Sequence, residues 1–217
     1  MDKRLTVVST EHSYLNHLLY ELRDQEIQQD RLRFRMNLER VGEILAYELS
    51  KELNYHPQRV ITPLGELDIP LLDQQPVIIS ILRAGLPLHQ GFLRLFDRAE
   101  NGFISAYRHH TSEQEFVVKV EYQAMPAIEN KSLIIVDPMI ATGRSVVLSV
   151  KEILEFGQPK DIFIVGVVAS DEGLDYVKRH IPRAKIFVGA VDHELTAKAY
   201  IVPGLGDAGD LAFGPKE

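Results

Sequence analysis

The hydrophobic pattern divides the chain into an N-terminal part with helical spacing and a longer part built from short, continuous apolar runs. Residues 14–53 read as helical: Phe34, Leu38, Val41, Leu45 and Leu49 recur at three- and four-residue steps, one stripe of a long amphipathic helix. Pro57 and Pro63 punctuate a short polar, β-like section over residues 60–70. From residue 76 the period changes. Val77–Leu82 is β-branched and unbroken, and Arg83-Ala84-Gly85 then interrupts it ahead of Pro87, a residue suited to the first turn of a helix. Residues 103–107 and 116–122 are β-rich and flank the polar stretch 108–115. The second run alternates, with Phe116, Val118, Val120 and Tyr122 on one face, as in the arm of an exposed hairpin. A further buried strand over 133–136 leads through a loop to a helix over 143–156, which Gly157 and Pro159 end. A strand over 162–169, a helix over 171–180 and a strand over 185–188 follow.

Strand, loop and helix repeated in this way predict right-handed βαβ units and a parallel sheet flanked by helices, a Rossmann-like α/β fold. No internal repeat, low-complexity tract or linker divides the chain, so residues 1–217 are expected to form a single domain. In an open parallel sheet, ligands bind beyond the carboxyl ends of the strands. That directs attention to residues 83–85, 108–115, 137–145 and the glycine-rich C-terminal stretch.

Composition narrows the chemistry. The chain has 217 residues, 45% of them hydrophobic and 25% charged, which is enough to bury a sizeable core and excludes a disordered or collagen-like protein. There is no Cys, which removes thiolate nucleophiles, Cys-ligated zinc, iron–sulfur clusters and a disulfide scaffold. The charge balance of 24 basic against 31 acidic residues (−7) lacks the basic footprint of a nucleic-acid binder, although an anionic ligand responds to the local field of its cleft. The charged N-terminus leads into no apolar core of a signal peptide, and the longest apolar runs are far too short to span a bilayer. The expectation is a cytoplasmic protein with no membrane partner.

The richest segment is Asp137-Pro138-Met139-Ile140-Ala141-Thr142-Gly143-Arg144-Ser145. A buried strand delivers an acid at its tip, and small residues then lead into a helix N-terminus. Free backbone N–H groups, the helix dipole and the Thr142 and Ser145 hydroxyls make a cradle for a phosphate monoester, with Asp137 placed to accept from two ribose hydroxyls. No Gly-Lys-Ser/Thr is present, so this is not an ATPase phosphate loop.

Gly204-x-Gly206-x-x-Gly209 formally matches a dinucleotide fingerprint, but only eight residues follow Gly209, too few for the rest of such a unit. A pocket lined by main chain fits better: glycines let the backbone approach a flat ligand, and its N–H and C=O groups hydrogen-bond the ligand edge. Arg83, beside Gly85 at a strand end, suits a diphosphate through its forked, charge-assisted hydrogen bonds. His109 and His110 are adjacent but lack a third ligand at useful spacing, so no direct metal site is expected. Arg31, Arg33, Arg35 and Arg40 do not share one helical face, and are read as solvated partners of Glu39, Glu43 or a neighbouring subunit.

In their order, these segments resemble the phosphoribosyltransferases. Asp-Pro-Met followed by Ala-Thr-Gly, together with Tyr200–Asp210, is similar to the uracil branch of that superfamily. The resemblance covers most of the chain and implies the family's fold: a parallel sheet flanked by helices, with N-terminal helices and a protruding β-hairpin. It implies transfer of the 5-phosphoribosyl group from 5-phospho-α-D-ribose 1-diphosphate (PRPP) to uracil, giving UMP and diphosphate, with Mg²⁺ carried in by PRPP.

By the same resemblance, PRPP meets Arg83, Ala84, Gly85, Arg108, the whole of Asp137–Ser145 and Asp207. Uracil meets Ile201, Gly206, Asp207 and Ala208. Arg83, Arg108 and Asp207 carry the catalytic roles, Asp207 reaching Mg²⁺ through water. An unusual backbone at Arg83, such as a non-proline cis peptide, is implied as well. The exposed-looking hairpin over 103–122 points to a homo-oligomer, a dimer or larger, and the resemblance permits a GTP effector. Three positions depart from the commonest pattern: Arg144 stands for Gly, Leu211 for a basic residue and Pro215 for Thr. A nucleotide-sensing regulator of the same fold and a phosphoribosyltransferase for another base remain the alternatives.

Overall fold

The computed structural model describes residues 4–110 and 116–215, with the backbone alone for 106–110 and 116–121. In chain order its elements are β1 (Leu5–Val7), α1 (Tyr14–Arg23), α2 (Arg31–Ser50), β2 (Tyr55–Thr62), β3 (Gly65–Leu72), β4 (Val77–Leu82), α3 (Gly85–Leu95), β5 (Glu100–His110), β6 (Phe116–Ala124), β7 (Ser132–Val136), β8 (Met139–Ile140), α4 (Arg144–Leu154), β9 (Asp161–Ser170), α5 (Asp171–His180), β10 (Lys185–Asp192), β11 (Glu194–Leu195), β12 (Ile201–Val202) and α6 (Ala208–Phe213).

The main sheet runs β1-β10-β9-β7-β4-β5-β6, with β8 added beside β9. Every pairing in it is parallel except β5 with β6. The continuous apolar runs explain the centre. Alternate residues of a strand point to opposite faces, so a strand covered on both sides needs apolar residues at every position. Ile78, Ile134, Val136, Phe163 and Val165 join α1, α2 and α3 in one core cluster. Ile79, Ile81, Ile135, Ile162 and Ile164 join α4 and α5 in the other. The expected parallel sheet flanked by helices is therefore what forms.

Beyond Ser105, β5 pairs only with β6, after a register shift between Ser105 and Ala106. The two strands continue as a hairpin past the edge of the sheet, as anticipated. Arg108, His109 and His110 lie on β5 rather than in a loop, and residues 111–115 lie outside the described residues.

The N-terminal helical region is two helices, in keeping with the N-terminal helices expected. Asp24 accepts from the backbone N–H groups of Glu26 and Ile27 at 3.0 Å each, which turns the chain after α1. Asp30 then caps α2, accepting from Leu32 and Arg33 N–H at 3.0 Å each. The β-like section is also longer than expected: β2 and β3 form a separate two-stranded ribbon with Pro57 opposite Pro70. Both prolines are tolerated because each strand of a two-stranded ribbon keeps one edge free of ladder bonds. The three-residue β1, which no periodicity announced, extends the sheet beside β10. Among the described residues, no helix is long and apolar enough to cross a membrane.

The arginines of α2 find other partners than expected. Arg33 pairs with Glu21 on α1 at 2.9 Å, Arg35 donates to the Ala212 carbonyl on α6 at 2.7 Å, and Arg40 donates to Asn37 at 3.4 Å. Glu39 and Glu43 are instead engaged by Arg94 on α3, because the packing of α2 against α3 brings that side chain to their face.

Candidate active site

Three segments far apart in sequence meet at the carboxyl ends of the central strands. The first leaves β4 through a cis peptide between Leu82 and Arg83 and enters α3 at Gly85. The half-buried Arg83 donates from Nη2 to the Gly214 carbonyl at 3.2 Å and to Asp210 Oδ1 at 3.4 Å.

The second leaves β7. The Asp137 N–H donates to the Val165 carbonyl at 3.0 Å, which extends the ladder to the tip of the strand. Its carboxylate accepts from the Met139 N–H at 3.3 Å. Burial pushes the Asp137 carboxyl up to about 7, and the Met139 hydrogen bond offsets only part of that rise. The Pro138 carbonyl accepts from Val167 and Val168 N–H at 2.9 and 3.0 Å, and β8 pairs beside them, so this loop is stitched to β9. Ser170, the cap of α5, also donates to the Ala141 carbonyl.

Gly143 then begins α4 in a left-handed conformation (φ 72°), with no side chain capping the helix. A Cβ there would stand 2.6 Å from the Gly173 carbonyl oxygen, so both the turn and the close approach demand glycine. The first-turn N–H groups of α4 and its positive dipole end are thereby left for an anion.

The third segment follows β12. Val202–Pro203 is cis, Gly204 and Gly206 have positive φ, and Asp207 caps α6 by accepting from the Asp210 N–H at 3.0 Å. The short helix α6 had no counterpart in the sequence expectations, which treated this stretch as a backbone-lined pocket only.

Two clefts result. One, of about 120 Å³, is lined by Ile81, Leu82, Arg83, Ala84, Asp137, Ser145, Asp207 and Gly209. The other, of about 320 Å³, is lined by Gln28, Gln29, Arg31, Leu205, Gly206, Asp207, Asp210 and Leu211. Asp207 borders both. The fold thus gathers Arg83, Ala84, Asp137, Ser145 and Asp207 around the first cleft, and Gly206 with Asp207 around the second.

Pro138, the two β8 residues Met139 and Ile140, Ala141, Thr142, Gly143 and Arg144 (the first residue of α4) line neither cleft, and Gly85 is buried at the start of α3. Ile201 and Ala208 are also buried and line neither. Arg108 sits opposite Val118 on the hairpin, and its side chain lies outside the described residues. Sequence reasoning missed Gln28 and Gln29 entirely, since two polar residues in a turn carry no pattern. Among the described residues, no three His, Asp or Glu side chains converge to hold a metal ion.

An acid-tipped parallel strand feeding an uncapped helix N-terminus, with a diphosphate-type arginine loop on the neighbouring strand, places the molecule in the phosphoribosyltransferase class. The model of the family described as uracil phosphoribosyltransferase matches residues 8–215, and the chain belongs to that family. It is 49% identical over 210 residues to a uracil phosphoribosyltransferase of Porphyromonas gingivalis, a match covering 96% of this chain and 97% of the other. It is 40% identical over 204 residues to one from Thermococcus gammatolerans, covering 93% of this chain and 89% of that one. Among solved structures, the AQ2163 protein of Aquifex aeolicus superimposes with a TM-score of 0.85 at 30% identity, covering 97% of this chain and 98% of that one.

Proposed function

We propose that the protein transfers the 5-phosphoribosyl group of PRPP to N1 of uracil, forming UMP and releasing diphosphate. The observation that carries this reading is the position of Asp207 on the border of two clefts. The cleft holding Arg83, Asp137 and Ser145 suits the ribosyl diphosphate, and the cleft beside Gly206 suits the base. The reacting C1′ and N1 then meet beside Asp207.

In this reading the α4 N-terminus, Thr142, Gly143 and Ser145 hold the 5′-phosphate, as a helix end with free N–H groups does for an anion. Asp137 accepts from the ribose hydroxyls. Hydrogen bonds to its ionised form lower its proton affinity from the raised value of the empty site. As the C1′–O bond breaks, negative charge grows on the departing diphosphate; Arg83 at the cleft offsets it, and the family resemblance gives Arg108 a share in that role. The C1′–N1 bond forms as N1 passes its proton, with Asp207 assisting, to the departing diphosphate. The main chain at Gly206, which lines the second cleft, meets the edge of the base, with the buried Ile201 and Ala208 in the same stretch, as the resemblance implies. Positioning of this kind supplies much of the acceleration.

The donor set fits Mg²⁺ taken up with the substrate. With Asp207 and Asp137 at the cleft and no cage of three protein ligands among the described residues, the ion would draw most of its oxygens from diphosphate and water, with Asp207 reached through water. When bound, the ion neutralises charge on the leaving diphosphate.

We read residues 1–217 as one working domain, supported by the Arg35–Ala212 hydrogen bond between α2 and α6. We also read it as a cytoplasmic homo-oligomer. One face of the β2–β3 ribbon exposes Leu67, Ile69 and Leu71, an apolar surface that a second copy of the chain would cover.

The test is UMP formation from PRPP and Mg²⁺, with uracil, cytosine, hypoxanthine and adenine offered side by side. Turnover with uracil alone supports the reading, and preference for another base replaces it. RNA binding without turnover would favour a regulator. Repeating the assay with GTP tests activation by that nucleotide.

A further inference from the structure

We propose that Arg23 and Asp192 are positioning residues for base recognition. They act through the main chain of Gly204 and touch no substrate. The proposal rests on the reading that residues 201–208 take the base.

Arg23 is the last residue of α1 and Asp192 the last of β10, and they are separated by 169 positions. Arg23 Nη1 donates to Asp192 Oδ2 at 2.7 Å, and Nη2 donates to Oδ1 at 3.1 Å, a two-pronged fork. The Gly204 N–H donates to the same Asp192 Oδ2 at 2.9 Å, while the Gly204 carbonyl accepts from Arg23 Nη1 at 3.1 Å. Both polar groups of one peptide turn are therefore held by one ion pair.

Gly204 has φ 56°, and a Cβ on it would stand 2.1 Å from the Ile201 carbonyl oxygen. The turn is tight, and its direction decides where Gly206 and Asp207 emerge, two and three residues on. Ile201 and Leu205 are buried on either side of it. The pair itself lines neither cleft.

The cost of this arrangement argues for a specific role. Asp192 is 8% exposed, and taking a carboxylate out of water for an ion pair is a poor source of stability compared with apolar packing. What it provides is directional. A guanidinium fork fixes the carboxylate plane, and that plane fixes the Gly204 peptide. A small error in that peptide displaces the donors and acceptors that meet the base, and misplacement of about 1 Å costs on the order of a hundredfold in such sites.

The test is steady-state kinetics on the full chain with uracil and PRPP varied separately, for wild type, Arg23→Lys, Asp192→Asn and their combination. Arg33→Lys, at the exposed pair with Glu21, serves as control. We expect KM for uracil to rise about tenfold or more in each single variant, with KM for PRPP staying within about twofold. The combination should be no worse than the weaker single variant, because the two residues act as one unit. A merely structural role would lower the melting temperature and the active fraction without moving KM for uracil.

Folded single variants with unchanged KM for uracil would overturn the proposal. If Asp192→Asn does not fold, the charge-retaining Arg23→Lys gives the same reading. An active wild type with unmoved variants defeats the clamp alone, whereas a wild type that forms no UMP defeats the parent reading and the clamp with it.

Discussion

Arg83 Nη2 reaches Asp210 Oδ1 at 3.4 Å, so the side chain assigned to the diphosphate already rests against the C-terminal helix α6. Both side chains are more than a third exposed, and a pair so placed is worth about 0–1 kcal/mol. In the proposed reading, a diphosphate would therefore displace Asp210 at little cost. Arg83→Ala should lower kcat/KM for PRPP by about a hundredfold or more, whereas Asp210→Ala should change it by only about a few-fold. Equal losses in the two variants would contradict this division of roles.

Asp207 caps α6 and, in the proposed reading, also serves the reaction, and mutation separates the two. Asn caps a helix about as well as Asp, so Asp207→Asn should leave the unfolding midpoint in place while lowering turnover by about a hundredfold. Asp207→Ala should in addition lose about 1 kcal/mol in urea denaturation, through the missing bond to the Asp210 N–H. Full turnover by Asp207→Asn would remove this residue from the reaction.

Asp137 imposes a pH dependence on the unliganded protein. The folded state keeps its proton up to about pH 7, while the ordinary carboxyl value is 3.8. Between those values the folded state holds more protons than the unfolded chain, so stability falls as pH rises through the window. Asp137→Asn removes the penalty. Its melting temperature should exceed that of wild type at about pH 8 and converge with it near about pH 4. The same variant should bind PRPP more weakly. Parallel melting curves for the two proteins across the whole window would refute the assignment.

Gly143→Ala should be destabilising by about 1–2 kcal/mol, since a left-handed residue then carries a Cβ. The new Cβ, 2.6 Å from the Gly173 oxygen, must also push the phosphate loop away from α5. Urea denaturation reads the first effect, and a raised KM for PRPP reads the second.

Much of the fold is legible in the chain because burial on both faces leaves a local imprint. Val77–Leu82 and Ile162–Ala169 are almost wholly apolar runs and form interior strands, β4 and β9, on either side of β7. Helix α5 falls where it was expected, Asp171–His180, because Ser170 caps it, acids fill its first turn and bases its last. Strand β1 is too short to show a period and exists only because β10 offers an edge. Helix α6 spans six residues, fewer than two turns, and depends on the Asp207 cap and on Arg35 reaching from α2. The glutamines of the second cleft are invisible for a similar reason: a turn at residues 24–30 becomes a pocket wall only when packed against Leu205 and Gly206.

By itself, the sequence determined the alternation of strands and helices, the acid-tipped phosphate loop, the arginine at the end of β4 and the glycine-rich base segment. Each is a local pattern whose chemistry is carried by neighbouring residues. Tertiary structure decided what those pieces do to one another: that Asp207 borders two clefts, that desolvation raises the proton affinity of Asp137, and that Arg23 and Asp192 close on Gly204. Desolvation and hydrogen-bond geometry depend on distances through space, and residues separated by 169 positions leave no shared period along the chain.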